Sequence, residues 1–131
     1  MYMKVLIVDD SPVENLFMSV FLEDIALTDC VNNGKDAVKM VQQAISCGKP
    51  YDLVCLDIVM PDMDGHQTLK IIREMENREE VKHGKIFMVT SCDSPDQMIE
   101  AIGEDGCDDY IVKPVISDSL NKLLVKHGLL C

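Results

Sequence analysis

Basic residues are scarce in this chain. Across 131 residues, 12 Lys and Arg stand against 23 Asp and Glu, a net charge of −11. Such a surface repels a phosphate backbone, so nucleic-acid binding by bulk electrostatics is excluded. Long apolar runs are missing too. None approaches the roughly 18 residues needed to cross a bilayer, and no membrane association is expected. The opening stretch Met1–Val8 runs into Asp9-Asp10 too soon for a secretory leader, so the expected location is cytoplasmic. Cysteine pairing is absent as well: the six cysteines at 30, 47, 55, 92, 107 and 131 form no C-x-x-C pair and no zinc-ligand spacing. Cys55 and Cys92 sit in or beside apolar runs and read as small core residues. Linkers, repeats and low-complexity stretches are also lacking. What remains is 47% hydrophobic residues, enough for one packed core, and the expectation is a single domain over residues 1–131 with no output domain.

Two kinds of segment alternate along the chain. Short runs rich in Val, Ile and Leu read as strands buried on both faces: Met3–Val8, Asp52–Leu56, Ile86–Val89 and Tyr110–Val112, with a weaker run at Leu27–Val31. Between them lie stripes of helical period. The first is Val13, Leu16, Phe17, Val20 and Phe21; the second is Ala37, Val38, Val41, Ala44 and Ile45. Leu69, Ile72 and Met75 mark a third, Met98, Ile99 and Ile102 a fourth, and Leu120, Leu123, Leu124 and His127 a fifth. Ser11-Pro12-Val13-Glu14 and Ser94-Pro95-Asp96-Gln97 are helix starts, and Gly48 followed by Pro50 is a helix stop. Five strand–helix units in series predict a doubly wound α/β fold, a (βα)5 three-layer sandwich of flavodoxin-like type. Its parallel sheet should take the order 2-1-3-4-5.

Ligands of such sheets bind beyond the carboxyl ends of the strands. Those ends carry Asp9-Asp10, Asp57, Thr90-Ser91 and Lys113-Pro114. The first and third strands are predicted neighbours, so three carboxylates converge. Two carboxylates about 5 Å apart repel by roughly 3 kcal/mol at an effective dielectric near 20. One lysine cannot cancel three such pairs, so the cluster needs a bound cation or a proton. With oxygen the sole donor type, Mg²⁺ suits it better than zinc. Thr90 and Lys113 complete a place for an anion touching that metal, and a phosphoryl group meets the description. Each residue alone has a plain reading: Asp9-Asp10 as helix caps, Asp57 and Thr90-Ser91 as turn residues, Lys113-Pro114 as a strand exit. Their joint placement at four strand ends is hard to assign to chance.

These residues carry a resemblance. Val8-Asp9-Asp10-Ser11, Leu56 to Gly65 (Leu-Asp-Ile-Val-Met-Pro-Asp-Met-Asp-Gly), Val89-Thr90-Ser91 and Tyr110-Ile111-Val112-Lys113-Pro114 resemble the response-regulator receiver domain of two-component phosphorelay signalling, here of stand-alone type. The resemblance implies that Asp57 is the phosphoacceptor. It implies that Asp9, Asp10, Asp57 and the backbone carbonyl of Val59 hold Mg²⁺. Thr90 and Lys113 would contact the phosphoryl group, across a cis Lys113–Pro114 bond, and Thr90 and Tyr110 would form the switch. Donors would be a sensor histidine kinase or a histidine phosphotransfer protein. A downstream protein target, or a second copy in a homodimer, would meet the face of the fourth helix, fifth strand and fifth helix. Val59 and Cys92 would flank the path of hydrolytic water, and neither orients water well, so a long-lived phosphoryl group is expected. Catalysis beyond the domain's own phosphorylation and dephosphorylation is not expected. Two other readings compete: a Mg²⁺-dependent aspartyl-phosphate phosphatase, disfavoured by the missing Asp-x-Asp and lid, and a degenerate receiver serving as a scaffold.

Overall fold

The structure is a computed structural model that describes residues 2–91 and 106–130. Along the chain come β1 (Met3–Val8), α1 (Pro12–Leu22), β2 (Ala26–Val31), α2 (Gly34–Ser46) and β3 (Leu53–Asp57). They are followed by α3 (Gly65–Arg78), β4 (Lys85–Thr90), β5 (Asp109–Val112) and α4 (Ser117–Lys126). All pairings are parallel, and the sheet order β2-β1-β3-β4-β5 is the one expected. The helix predicted on Met98, Ile99 and Ile102, its start at Ser94-Pro95, and Cys92 lie outside the described residues.

Successive strand residues point to opposite faces of a sheet, and here each face has its own core. Leu6, Val8, Val54 and Leu56 pack with Ala37 and Val41 of α2 and Leu69 and Ile72 of α3. Val5, Ile7, Leu53, Cys55 and Phe87 pack with Met18 and Leu22 of α1 and Leu120 and Leu124 of α4. The continuous apolar runs of β1, β3 and β4 thus fill both sides of the central layer. Cys55 is buried, as expected, and so is Cys107, while Cys30 and Cys47 are exposed. No described helix is long and apolar enough to cross a membrane.

Caps fix where the helices begin. Ser11 Oγ accepts from the Glu14 N–H at 3.4 Å, with Pro12 in the first helical turn. Asn33 does the same for α2 through the Asp36 N–H, and Asp64 with Gln67 forms a full capping box on α3. Gly48, at φ +73°, ends α2 in the left-handed region that favours glycine.

The stripe read on the first helix is corrected by the structure. Val13, Leu16, Phe17 and Val20 face solvent, 58, 60, 53 and 48% exposed. The buried row is Asn15, Met18 and Leu22, and only Phe21 of the predicted stripe packs partly against the core. Both rows have helical spacing, so the period alone could not choose between them. On the inward row Met18 and Leu22 pack into the core, and the Asn15 amide bonds the Asp9 and Val31 carbonyls.

Candidate functional site

The sheet brings four of the predicted residues to one end. Asp9 directly follows β1, Asp57 and Thr90 are the last residues of β3 and β4, and Lys113 directly follows β5. The register opposes Asp57 to Val89 and Thr90 to Val112, so these ends lie side by side. Asp9 and Asp57 are only 5 and 4% exposed, whereas Asp10 is open to solvent. One carboxylate oxygen from each of Asp9, Asp10 and Asp57 lies within 4.8 Å of the others. Lys113 Nζ stands 3.1 Å from Asp9 Oδ2 and 3.5 Å from Asp57 Oδ1. The Ser11 N–H donates to Asp9 Oδ1 at 2.9 Å, and the Val59 N–H donates to the Asp57 carboxylate. The Lys113 N–H donates to the Thr90 carbonyl at 2.7 Å, and the Lys113–Pro114 bond is cis.

Gly65 sets the floor under Asp57. Its N–H donates to the Ile58 carbonyl at 2.8 Å. A Cβ there would lie 2.5 Å from the Asp57 carbonyl oxygen and 2.7 Å from Ile58 Cα. Only glycine lets the first turn of α3 close against the phosphoacceptor candidate's backbone.

The charges do not balance. Burial, and then the charge of Asp9, push the Asp57 carboxyl up to about 6, against Lys113 and the Val59 N–H, with Asp10 adding to the rise. Burial pulls the Lys113 ammonium down, yet the Asp9 hydrogen bond and the charges of Asp57, Asp9 and Glu14 carry it above its ordinary value. Three acids share one lysine. A hard divalent cation would fit this donor set: all oxygens, clustered, with Asp10 open to solvent. Among the described residues, Asp9, Asp10 and Asp57 make the one cluster of three or more such ligand side chains.

The remaining predicted residues are placed as follows. Thr90 is buried, and Tyr110 is half-buried against the core on the α2–α3 side. The Val59 side chain is 72% exposed at the rim. Three contributors were missed from the sequence: the Ser11 N–H, Gly65 as a close-approach glycine, and Asn15, whose amide bonds the Asp9 carbonyl. Asn15 left one legible signal, as the polar member of a row that continues through Met18 and Leu22.

Residues 5–125 match the family described as the response regulator receiver domain. The chain is 33% identical over 126 residues to hybrid signal transduction histidine kinase L of Dictyostelium discoideum, covering 95% of this chain and 7% of that one. It is also 33% identical to the sensor histidine kinase GacS of Pseudomonas protegens, covering 94% of this chain and 13% of the relative. It therefore spans only a small part of the length of these kinases. The chemotaxis response regulator CheY4 of Vibrio cholerae superposes with a TM-score of 0.82 at 28% identity, over 96% of this chain and 98% of that one. The receiver domain of Ssk1 from Saccharomyces cerevisiae, solved with the histidine phosphotransfer protein Ypd1, gives 0.82 at 25% identity, over 97% of this chain and 89% of the other. The acid cluster at the strand ends, the sheet order and the matched span lead to one assignment: the chain belongs to the response regulator receiver domain family.

Proposed function

We propose that this receiver accepts a phosphoryl group on Asp57 from a histidine kinase or a histidine phosphotransfer protein and signals through a changed protein-binding face. The observation that carries the proposal is the buried Asp57, crowded by Asp9 and Asp10 and met, among the described cations, by Lys113. Mg²⁺, held by Asp9, Asp10, Asp57 and the Val59 carbonyl, would offset the negative charge of the pocket and of the incoming phosphoryl group. An Asp57 carboxylate oxygen attacks phosphorus, the P–N bond to the donor imidazole breaks, and the imidazole leaves with the bonding pair and takes up a proton. Lys113 Nζ neutralises a phosphoryl oxygen, and positioning supplies most of the catalysis. Thr90 then moves to bond the new dianion, and Tyr110 follows it inward. That bias on a two-state surface is read by a protein target at the face of β5, α4 and the helix predicted around residues 98–102, or by a second copy there. The domain acts in the cytoplasm as one unit over residues 1–131 and turns over no external substrate.

Acetyl phosphate with Mg²⁺, followed by intact mass, tests this reading. A single phosphoryl adduct is expected, absent without Mg²⁺ and absent in Asp57→Ala. Steady release of phosphate from simple phosphomonoesters would favour the phosphatase reading, and no adduct from any donor would leave the scaffold. Val59 offers no group to hold attacking water, so the adduct should persist, and Val59→Asn should shorten its lifetime. Equal lifetimes would count against that assignment of position 59.

A further inference from the structure

Asn15 is 9% exposed, on the row of α1 that faces the sheet. Its Nδ2 donates to the Asp9 carbonyl at 3.0 Å and to the Val31 carbonyl at 3.3 Å. Two carbonyls can be met only by the NH₂ side of the amide, which fixes its orientation. Oδ1 is buried and accepts from nothing among the described residues. Burying an unmet amide oxygen is costly, and a leucine of similar size would avoid that cost. What leucine could not supply is the pair of donors.

Their placement gives them a purpose. The β1–β2 ladder ends with the Asp9 N–H donating to the Val31 carbonyl at 3.2 Å. Asn15 adds a side-chain rung just beyond it, joining the last bonded carbonyl of β2 to the carbonyl of Asp9. That carbonyl belongs to the planar peptide linking Asp9 to Asp10. Holding its oxygen fixes the plane from which two of the three clustered carboxylates depart. The Asp9 side chain is held separately, by the Ser11 N–H and Lys113.

We infer that Asn15 is a positioning residue for the divalent-ion pocket, setting the Asp9–Asp10 peptide so that both carboxylates converge with Asp57. This rests on the reading of that pocket as a Mg²⁺ site. Partners that orient metal ligands typically contribute 10–100-fold to affinity. Asn15→Leu should therefore raise the Mg²⁺ dissociation constant about tenfold or more, measured by calorimetric titration. In acetyl-phosphate labelling it should raise the half-saturating Mg²⁺ in step, with the maximal rate recovered when Mg²⁺ saturates. Asn15→Gln, which keeps an amide on a longer arm, should recover part of the affinity. A second measurement needs no variant. In the metal-free wild type, the Asn15 side-chain amide protons should exchange slowly, and their resonances should shift with the Asp9 and Asp10 backbone amides as Mg²⁺ is added. Unchanged Mg²⁺ affinity in Asn15→Leu, or rapid exchange of that amide with no response to Mg²⁺, overturns the inference. Failure of the wild type to bind Mg²⁺ at all would instead overturn the reading of the pocket.

Discussion

The two ends of the sheet treat buried acid in opposite ways. At the amino ends of β4 and β5, the described acids Glu76, Asp108 and Asp109 each have a cation. Arg73 reaches Glu76 at 2.6 Å and Asp108 at 2.9 Å and also bonds the Gly84 and Gly106 carbonyls. Asp109 takes Lys126 at 3.0 Å and His127 at 2.9 Å. Burial pushes the Asp109 carboxyl up, but the hydrogen bonds from His127, the Tyr110 N–H and Lys126 more than reverse it, and the net shift is downward. At the carboxyl ends, three acids face one lysine and Asp57 rises to about 6. The same residue type, buried at both ends as Asp109 and Asp57, is settled at one end and strained at the other. Buried networks that serve the fold are satisfied. The acids gathered at the other end could hold a metal ion.

Removing the cation at the settled end should have the largest effect. Arg73→Met leaves Glu76 buried without its cation and Asp108 with Lys85 at 3.8 Å, and stability should fall by about 3–5 kcal/mol in urea unfolding. A loss below about 1 kcal/mol would show that this network is as dispensable as a surface pair. At the strained end the sign reverses. Asp57→Asn should stabilise the metal-free protein at pH 7.5 by about 1–3 kcal/mol, because burial beside Asp9 lifts the Asp57 carboxyl to about 6 in the folded state. Because the folded state holds that proton more tightly than the unfolded chain, metal-free wild type should lose stability as pH rises from 3.8 to about 6. Asp57→Asn should lack that decline, and Mg²⁺ should abolish it in the wild type. Parallel curves for the two proteins would remove the strain from the account.

Asp109 supplies the smaller mirror image. Its lowered carboxyl contributes stability above the unfolded value, and that contribution is lost as pH falls through the folded one. Asp109→Asn should cost about 1–2 kcal/mol at pH 7 and nothing in strong acid. A constant penalty at every pH would assign the effect to packing rather than charge.

The sequence reported these two ends unequally. The runs of β1, β3 and β4 were found to within about a residue, because burial on both faces leaves no polar interruption, while β2, open to solvent at Leu27, Asp29 and Cys30, left only a weaker run. The strained end was legible as well: Asp9, Asp10, Asp57, Thr90 and Lys113 are short-range punctuation at strand ends, and parallel topology gathers such ends. The settled end was not. Arg73 and Asp108 are 35 positions apart, and Asp108 and Asp109 look like turn residues until β5 is placed beside β4. Asn15 was missed for a related reason, since its carbonyl partners at Asp9 and Val31 are defined only once β1 and β2 pair. Pattern shows what a segment buries, while long-range charge pairing depends on geometry that no window of sequence contains.

Helix α1 provides the smallest expected effect, and it separates the two kinds of unsatisfied surface. Its outward row begins at Val13, three positions past Asp10, and runs through Leu16 and Phe17 to Val20, about 10 Å along the helix. The inward row of Met18 and Leu22 already fills the space against the sheet. If the outward row has no share in the core, Phe17→Ser removes a large apolar group that water already reaches, and the folded state loses little burial. Stability should change by no more than about 0.5 kcal/mol, read as an unfolding midpoint with an unchanged denaturant slope. A loss above about 2 kcal/mol would mean that Phe17 packs inward as the sequence stripe implied, and the α1 assignment, with Asn15 on its buried row, would have to be turned around.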